Sequence, residues 1–308
     1  MTTQDPAIDF AEDARAENTR RAYAADQADF ASWCSAEGLT SLPAEPSTVA
    51  RYLTAKAGEL RVSSLARRLA GIRAWHRDSD LAPPESAELR RVWAGIRRRL
   101  GRPPDKKKAL VLEDLARAVA AMPATPAGLR DRALLLMMFA GALRRSEAAP
   151  LELDGPSAGS CRLLHVAEGL EIHLGRSKGD KQGQGVVVAI PLTGTALCPV
   201  AALEAWLKAA RIRSGPVFRK VDRWGTIGAM ALTTGSVSGV VKKAASSIGL
   251  NPRVFAGHSP RRGMATSAHR RGEDLVRIQR HLRHKRPETT TGYIQEAGRF
   301  EESLGRML

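Results

Sequence analysis

The sequence predicts a mainly α-helical protein of two domains, in which the second domain also contains a small antiparallel sheet. Amphipathic segments fill the first third of the chain, and a short segment rich in proline and lysine then interrupts them. After this break, three short apolar runs between Leu163 and Leu192 indicate strands in a chain that is otherwise helical in pattern. A chain of 308 residues is long enough for two ordinary domains.

The first domain, residues 1–101, is predicted to be a bundle of four helices. Their predicted starts are Asn18–Thr19, Ser47–Thr48, Ser63–Ser64 and the region of Ser86, and residues of these types commonly cap helices. Each start is followed by apolar residues three or four positions apart, which is the spacing of one helix face. Four such helices bury their apolar faces against one another.

The third and fourth predicted helices carry many arginines on their polar faces. These are Arg67, Arg68, Arg73, Arg77, Arg90, Arg91, Arg97, Arg98 and Arg99. The pattern fits a solvated surface as well as a phosphate-binding one, so both interpretations stay open at this point.

Residues 102–109 are predicted to form a basic linker between the domains. Pro103 and Pro104 disfavour continuation of the preceding helix, and Lys106, Lys107 and Lys108 follow shortly afterwards. A linker with three lysines could also follow a DNA backbone. The second domain is therefore expected to cover residues 110–308.

The second domain is predicted to be helical on both sides of a small sheet. The pattern from Leu112 to Ala121 and the strongly apolar stretch from Arg130 to Ala140 indicate helices. Leu163–Val166, Leu170–Leu174 and Val186–Ile190 indicate three strands, with a Gly-rich polar segment before the last. After Pro199 the chain is expected to be helical to its end.

The charge balance indicates a polyanionic partner. The chain has 48 Lys and Arg against 32 Asp and Glu, a formal net charge of +16, and nucleic acids are the usual partners of proteins this basic. The three cysteines, Cys34, Cys161 and Cys198, are far apart and lack metal-ligand spacing, so no disulfide framework or zinc site is expected. With no apolar run of transmembrane length and no signal-peptide pattern, we expect a cytoplasmic protein.

The strongest chemical signal lies near the C-terminus. His258 and Arg261 stand three residues apart, and Leu282-Arg283-His284 precedes Tyr293 by a short interval. The stretch 253–286 contains ten Lys and Arg but only two acidic residues, which is typical of a phosphate-facing surface. A histidine and an arginine at a helix start can bind one anion together with free backbone N–H groups.

The order of these residues resembles the phage-integrase (tyrosine recombinase) family, and especially its Cre-like members. The family's first box is matched by Ala142-Leu143-Arg144-Arg145-Ser146-Glu147, and its hairpin lysine by Lys178 in Gly175-Arg176-Ser177-Lys178. Its His-x-x-Arg box is matched by His258-Ser259-Pro260-Arg261, and its Leu-Gly-His element by Leu282-Arg283-His284. The resemblance covers nearly the whole chain and implies a SAM-like helical core-binding bundle followed by the integrase catalytic core fold.

The resemblance implies a site-specific recombinase that cuts and rejoins duplex DNA through a 3′-phosphotyrosyl intermediate, without a metal or other cofactor. Tyr293 would be the nucleophile, and Arg144 and Arg261 would bind the scissile phosphate, since a guanidinium can donate two N–H bonds to phosphate oxygens. Lys178 would protonate the departing 5′ oxygen. His258 would manage the proton of Tyr293, and His284 would hydrogen-bond the phosphate. Glu147 would orient the cluster.

Several assignments have a neighbouring rival. Arg145 competes with Arg144, Arg262 with Arg261, Lys181 with Lys178, and His281 with His284. Arg283 also replaces the glycine of the family's Leu-Gly-His element, which puts the local backbone geometry in question.

Further expectations concern partners. The expected DNA-binding residues are Arg67, Arg68, Arg73, Arg97, Lys106, Lys107, Lys108, Arg262 and Arg283. The resemblance also implies two domains that close around DNA, a homo-oligomer that is a tetramer when two sites meet, a C-terminal tail (297–308) docked on a neighbouring subunit, and a location with the nucleoid. Rival functions are a type IB topoisomerase-like enzyme and a DNA-binding regulator that has lost cleavage.

Overall fold

The computed structural model describes residues 15, 17–103, 105–154, 161–175 and 185–294. The chain divides between Asp105 and Lys106 into two compact units, called here the N-terminal unit and the catalytic unit. This point lies within the segment 102–109 that was predicted as a linker. No helix of the described residues is long and apolar enough to cross a membrane.

The N-terminal unit consists, in its described part, of the four predicted helices. They are α1 (Glu17–Ala36), α2 (Pro46–Lys56), α3 (Val62–Asp78) and α4 (Ala87–Leu100). Ser86 caps α4, because its hydroxyl accepts the backbone N–H of Leu89 at 3.0 Å. Phe30, Tyr52 and Ile72 are fully buried and lie in the core where α1, α2 and α3 meet. The prediction of a helical bundle is confirmed.

The catalytic unit is mainly helical, as predicted. Its helices are α5 (Leu112–Ala120), α6 (Pro126–Ala140), α7 (Arg145–Ala148), α8 (Pro199–Ala210), α9 (Thr234–Ser247), α10 (Ser259–Arg270), α11 (Leu275–Leu282) and α12 (Pro287–Ile294). The apolar helix α6 is buried through almost its whole length. The indole of Trp206 on α8 is also fully buried, and its N–H donates to the Val217 carbonyl at 2.8 Å.

The sheet of the catalytic unit is mixed, so the prediction of a small antiparallel sheet needs a correction. Its strands are β1 (Leu151–Leu153), β2 (Cys161–Val166), β3 (Gly169–Leu174), β4 (Val186–Pro191) and β5 (Gly215–Pro216), in the order β4-β3-β2-β1-β5. The three predicted strands are β2, β3 and β4, and they pair antiparallel. The added strand β1 runs parallel to β2 and antiparallel to β5.

The prediction of helix alone after Pro199 was wrong. Besides β5, a hairpin is formed by β6 (Arg219–Val221) and β7 (Ile227–Ala231). Neither of its strands contains a buried residue, so they lack the apolar alternation by which a half-buried strand is recognised. The carboxylate of Asp222 closes the turn by accepting the N–H groups of Trp224 and Thr226, each at 2.8 Å.

Helix α10 is bound tightly to the first residues of the catalytic unit. The Leu110 N–H donates to the Ser259 carbonyl at 2.9 Å, and the Leu112 N–H donates to the Ser267 hydroxyl at 2.9 Å. A Cβ atom at Gly263 would lie only 1.7 Å from the Leu110 carbonyl oxygen. Glycine is therefore required at residue 263, and this close approach fixes the helix that carries Arg261.

Candidate active site

Arg144 lies at the end of the loop that leaves α6 and directly precedes α7. The loop turns sharply at Ala142, which has a φ of 44°. The buried carboxylate of Glu147 on α7 accepts the Arg144 backbone N–H at 2.8 Å and the Arg144 guanidinium at 2.5 Å. Arg145 extends elsewhere, toward the Ser238 hydroxyl on α9. Of the two rivals, it is Arg144 that contacts Glu147.

Arg261 lies in the first turn of α10 and is almost completely buried, with 1% of its surface exposed. Its guanidinium donates to the carbonyl oxygens of Ala142 and Leu282. The first belongs to the loop before Arg144 and the second to the end of α11. Arg261 therefore connects the first box to the element that carries His284.

His284 and Tyr293 lie against each other. Their ring centroids are 5.1 Å apart and the rings are nearly perpendicular, at 86°. The His284 Nδ1 atom is 3.0 Å from the hydroxyl of Thr290, which is itself buried. The rival His281 is turned away, and its Nε2 lies 2.8 Å from the carbonyl oxygen of Ala140.

Tyr293 also contacts helix α10. The guanidinium carbon of Arg262 is 5.1 Å from the centre of the Tyr293 ring, within the range of a cation–π interaction. The Thr266 hydroxyl donates to the Tyr293 carbonyl at 3.4 Å. Helix α12 thus packs against α10, the helix that carries Arg261. This packing brings Tyr293 to the arginine cluster, which is formed by Arg144 and Arg261 together with Glu147.

His258 immediately precedes α10, and its side chain lies at the surface with part of it exposed and part of it against the protein. The protein around its imidazole limits hydration and lowers the pKa of His258, and the charges of Arg261, Arg145 and Arg144 lower it further. A histidine whose pKa is below 6.5 is largely neutral at pH 7 and can accept a proton.

The cluster carries a strong positive field. Burial, together with the charges of Arg144 and Arg283, lowers the pKa of Arg261 to about 10, so its guanidinium remains charged at pH 7. Burial and the charges of Arg261 and Arg144 lower the pKa of His284 to about 4. Burial opposes ionisation of Glu147, but its hydrogen bond from the Arg144 backbone and the charges of Arg283 and Arg144 outweigh burial and lower its pKa.

Arg283 is part of this cluster as well. Its side chain is turned inward, with 12% of its surface exposed, and donates to the Glu147 carboxylate at 3.0 Å. We expected Arg283 on a DNA-facing surface, and sequence reasoning missed its contact with Glu147. The replacement of a glycine by arginine in the Leu-Gly-His element was the signal that could have revealed it. Thr290, the partner of His284, left no such signal.

The remaining predicted residues are placed as follows. Arg67 pairs with Asp26 at 2.8 Å, Arg68 with Asp29, and Arg73 with Glu85. Arg97 is exposed in the last turn of α4, and Arg262 is buried. The ammonium groups of Lys106 and Lys107 donate to the carbonyls of Gly292 and Arg253, at 3.4 and 2.9 Å, and Lys108 is exposed. Lys178, Lys181 and the tail 297–308 lie outside the described residues.

Comparisons with known proteins show the family of the chain. The model of the phage integrase family matches residues 108–299. The integrase/recombinase XerD homolog of Selenomonas ruminantium is 35% identical over 303 residues, which cover 96% of this chain and 87% of the relative.

Two solved structures of lambda integrase show a similar fold. The structure of its residues 75–356, a dimer bound to a COC′ core site, is 14% identical with a TM-score of 0.60, and the match covers 96% of this chain and 94% of that chain. The tetramer bound to a Holliday junction is 14% identical with a TM-score of 0.59, and the match covers 94% of this chain and 75% of that chain.

The fold and the matches define an enzyme of the tyrosine recombinase class. The chain belongs to the phage integrase family, and its activity is site-specific DNA recombination. The narrower likeness to Cre-like members stays a prediction.

Proposed function

We propose that this recombinase cuts and rejoins specific sites in duplex DNA with Tyr293 as its nucleophile and with Arg144 and Arg261 bound to the scissile phosphate. One observation carries the proposal: four separate segments of the chain meet at one place. The Ala142 carbonyl and Glu147 connect Arg144 with Arg261, and the edge of the same cluster is formed by His284 in contact with Tyr293.

The proposed first step forms a bond from the Tyr293 phenolic oxygen to phosphorus and breaks the bond from phosphorus to the 5′ oxygen. The phenolic proton passes to His258, whose lowered pKa keeps it neutral and ready to accept. The departing 5′ oxygen takes a proton from Lys178, with Lys181 as the alternative donor. The products are a 3′-phosphotyrosyl ester and a free 5′ hydroxyl, and rejoining is the reverse reaction with a 5′ hydroxyl as nucleophile.

Guanidinium groups supply the transition-state stabilisation in this scheme. Arg144 and Arg261 place positive charge where the pentavalent phosphate gains negative charge, and removal of one such donor commonly costs roughly 3–4 kcal/mol of activation free energy. His284 is neutral near pH 7, since its pKa is about 4, and it hydrogen-bonds a phosphate oxygen. Its contact with Thr290 fixes the orientation of its ring.

The proposal includes duplex DNA as partner and a homo-oligomer as the active assembly. The lambda integrase structures hold a dimer on a core site and a tetramer on a Holliday junction, and the formal charge of +16 suits a polyanion. In the same scheme the tail 297–308 docks on a neighbouring subunit, and the protein works with the nucleoid in the cytoplasm.

The decisive experiment recovers the covalent intermediate on DNA. The protein is incubated with sheared genomic DNA of the organism that encodes it, denatured and digested with nuclease, and the peptides are analysed by mass spectrometry. We expect nucleotides attached to the Tyr293 peptide, undiminished by a chelator, and lost in the Tyr293→Phe variant. Sequencing the attached strands before digestion identifies the target site.

A matched control is Tyr23→Phe, which makes the same chemical change in the N-terminal unit, where Tyr23 packs against Gly71 of α3. This variant should form the adduct at the wild-type level. Tight binding of DNA without any adduct would contradict the proposal and favour a DNA-binding regulator. Relaxation of supercoiled plasmid of arbitrary sequence by the monomer would favour a topoisomerase-like activity.

A further inference from the structure

Arg283 occupies a backbone position that normally favours glycine. It ends α11 with a φ of 55° and a ψ of 43°, the left-handed conformation, in which a residue with a side chain is disfavoured by roughly 1 kcal/mol relative to glycine. The family element that this segment resembles has glycine here. Such backbone strain persists where other interactions of the residue compensate for it.

The side chain of Arg283 makes these compensating contacts. One terminal nitrogen donates to the carbonyl oxygens of Gly141 at 2.9 Å and His281 at 3.2 Å. The other donates to the carbonyl oxygen of Ala142 at 2.9 Å and to the Glu147 carboxylate at 3.0 Å. The guanidinium thus binds the loop that leads into Arg144 at several points.

Both phosphate-binding arginines share a partner with Arg283. The Ala142 carbonyl accepts from Arg283 and also from Arg261. The Glu147 carboxylate accepts from Arg283 and also from the backbone and side chain of Arg144. Arg283 therefore contacts the two groups that fix the positions of Arg144 and Arg261.

Arg283 also changes the charge that the cluster offers to a phosphate. Glu147 offsets one of the two positive charges of Arg144 and Arg261. Arg283, which donates to the same carboxylate, restores that charge, and Coulomb interactions at these short distances are strong in a partly buried site. With glycine at residue 283, the carboxylate would neutralise more of the field of Arg144.

We propose that Arg283 is a positioning residue of the recombination reaction: through Glu147 and the Ala142 carbonyl it holds Arg144 and Arg261 in the geometry that binds the phosphoryl transition state. This inference rests on the proposed roles of Arg144 and Arg261. It replaces the expectation that Arg283 contacts DNA directly.

The chain contains a matched control for this position. Arg211 ends α8 in the same left-handed conformation, with a φ of 52° and a ψ of 36°, but it is exposed to solvent. Substitution of Arg211 therefore makes the same change of charge, side chain and backbone preference away from the cluster.

The test compares Arg283→Gln, Arg283→Lys and Arg283→Gly with Arg211→Gln and Arg211→Gly. Single-turnover cleavage and DNA affinity are measured on a nicked duplex that carries the site recovered with Tyr293. We expect Arg283→Gln and Arg283→Gly to cleave roughly 10–100-fold more slowly at saturating DNA, by analogy with groups that orient the ligands of a metal ion. Arg283→Lys should recover part of the rate, and both Arg211 variants should cleave at the wild-type rate.

The affinity data separate positioning from direct contact with DNA. A positioning role leaves the Kd for DNA and its dependence on salt near the wild-type values. Loss of a direct phosphate contact would weaken binding and reduce the slope of log K against log salt by about 0.9. That result, or a cleavage rate of Arg283→Gln within twofold of the wild type, would overturn the proposal.

A double-variant cycle tests whether Arg283 acts through Glu147. If it does, Arg283→Gln combined with Glu147→Gln cleaves no more slowly than the slower single variant, because both changes break the same connection. If the decreases in cleavage rate of the two single variants multiply in the double variant, the two residues have independent roles, which would contradict the proposal. A merely structural role would lower the Tm, and the folded variant would still cleave at the wild-type rate at saturating DNA.

Binding of inorganic vanadate gives a readout that needs no cleavage. Vanadate is a tetrahedral oxyanion that readily takes up a fifth oxygen ligand and then has the geometry of the phosphoryl transition state, so it should bind Arg283→Gln about tenfold more weakly than the wild type or Arg211→Gln. Equal vanadate affinities would contradict the positioning role. If vanadate binding depends on Arg283 but the wild type never forms a DNA adduct, the positioning role stands and the proposed nucleophilic function of Tyr293 fails.

Discussion

The two units of the molecule hold their arginines in different ways. In the N-terminal unit, Arg90 lies on the surface of α4 and pairs with the exposed carboxylate of Glu85. In the catalytic unit, Arg261 and Arg283 are turned inward and donate to backbone carbonyls. An exposed ion pair contributes little to stability, so a surface guanidinium can exchange its carboxylate for a DNA phosphate. A guanidinium bound to the backbone keeps its position.

We propose that the two groups of arginines have separate tasks. Those on the N-terminal unit are suited to affinity, because their side chains can follow the phosphates of different DNA sequences. Those in the catalytic unit are suited to chemistry, because a donor that needs no rearrangement stabilises a transition state best. The two units also differ in backbone packing. A Cβ at Gly95 of α4 would meet no atom within 4 Å, whereas a Cβ at Gly263 of α10 would lie 1.7 Å from the Leu110 carbonyl oxygen.

The largest expected effect comes from the packing at Gly263. In Gly263→Ala the new Cβ would lie 1.7 Å from the Leu110 carbonyl oxygen, so α10 has to shift, and we expect the catalytic unit to lose about 3 kcal/mol of unfolding free energy. Because α10 carries Arg261, cleavage should decrease as well. Hydrogen exchange read by mass spectrometry, peptide by peptide, measures the change in each unit.

The matched substitution in the other unit should have the opposite sign. A Cβ at Gly95 meets no atom within 4 Å, so Gly95→Ala should stabilise α4 by roughly 0.5–1 kcal/mol through the higher helix propensity of alanine. The contrast between the units would be refuted if the amide hydrogens of Gly263→Ala exchanged as in the wild type. It would also be refuted if both substitutions lowered the stability of their units equally.

The next largest effect is a loss of stability of the catalytic unit in mild acid. The pKa of His284 is about 4 in the folded protein, whereas the ordinary pKa of a histidine, which applies in the unfolded chain, is 6.5. The unfolded chain therefore binds the proton first as the pH falls below 6.5, and the free energy of unfolding decreases until about pH 4. Between pH 7.5 and pH 5, His284 alone should lower the free energy of unfolding by on the order of 2 kcal/mol.

The variant His284→Asn isolates this contribution. Asparagine does not titrate, and the part of the pH dependence due to residue 284 should vanish, while the lowered pKa values of His258 and His281 leave a remainder of the same sign. Denaturant unfolding at pH 7.5 and pH 5 measures the difference. An unchanged pH dependence in His284→Asn would show that His284 is not held neutral by the arginine cluster.

The sequence predicted the helices well because their signals are local. Ser86 predicted the start of α4, and the apolar run up to Ala140 predicted α6, since capping and periodicity act within a few turns. The short strands β1 and β5 were missed, because three and two residues carry too little pattern and their pairing joins distant parts of the chain.

The site was predictable to the extent that residue type and order decide it. The resemblance brought together Arg144, Arg261, His284 and Tyr293, and the described contacts place these residues in one cluster. The role of Arg283 was not predictable in this way. Its meaning depends on a left-handed backbone and on contacts across the fold to Glu147, and sequence order alone does not reveal either.

The smallest expected effect tests the surface arginines of the N-terminal unit. Arg97 is exposed in the last turn of α4. If Arg97 binds a DNA phosphate, Arg97→Gln should weaken binding by less than about 1 kcal/mol at physiological salt and reduce the slope of log K against log salt by about 0.9. Cleavage at saturating DNA should stay at the wild-type rate. A slower rate at saturation would show that a surface arginine also shapes the chemistry, and the division of tasks between the two units would then fail.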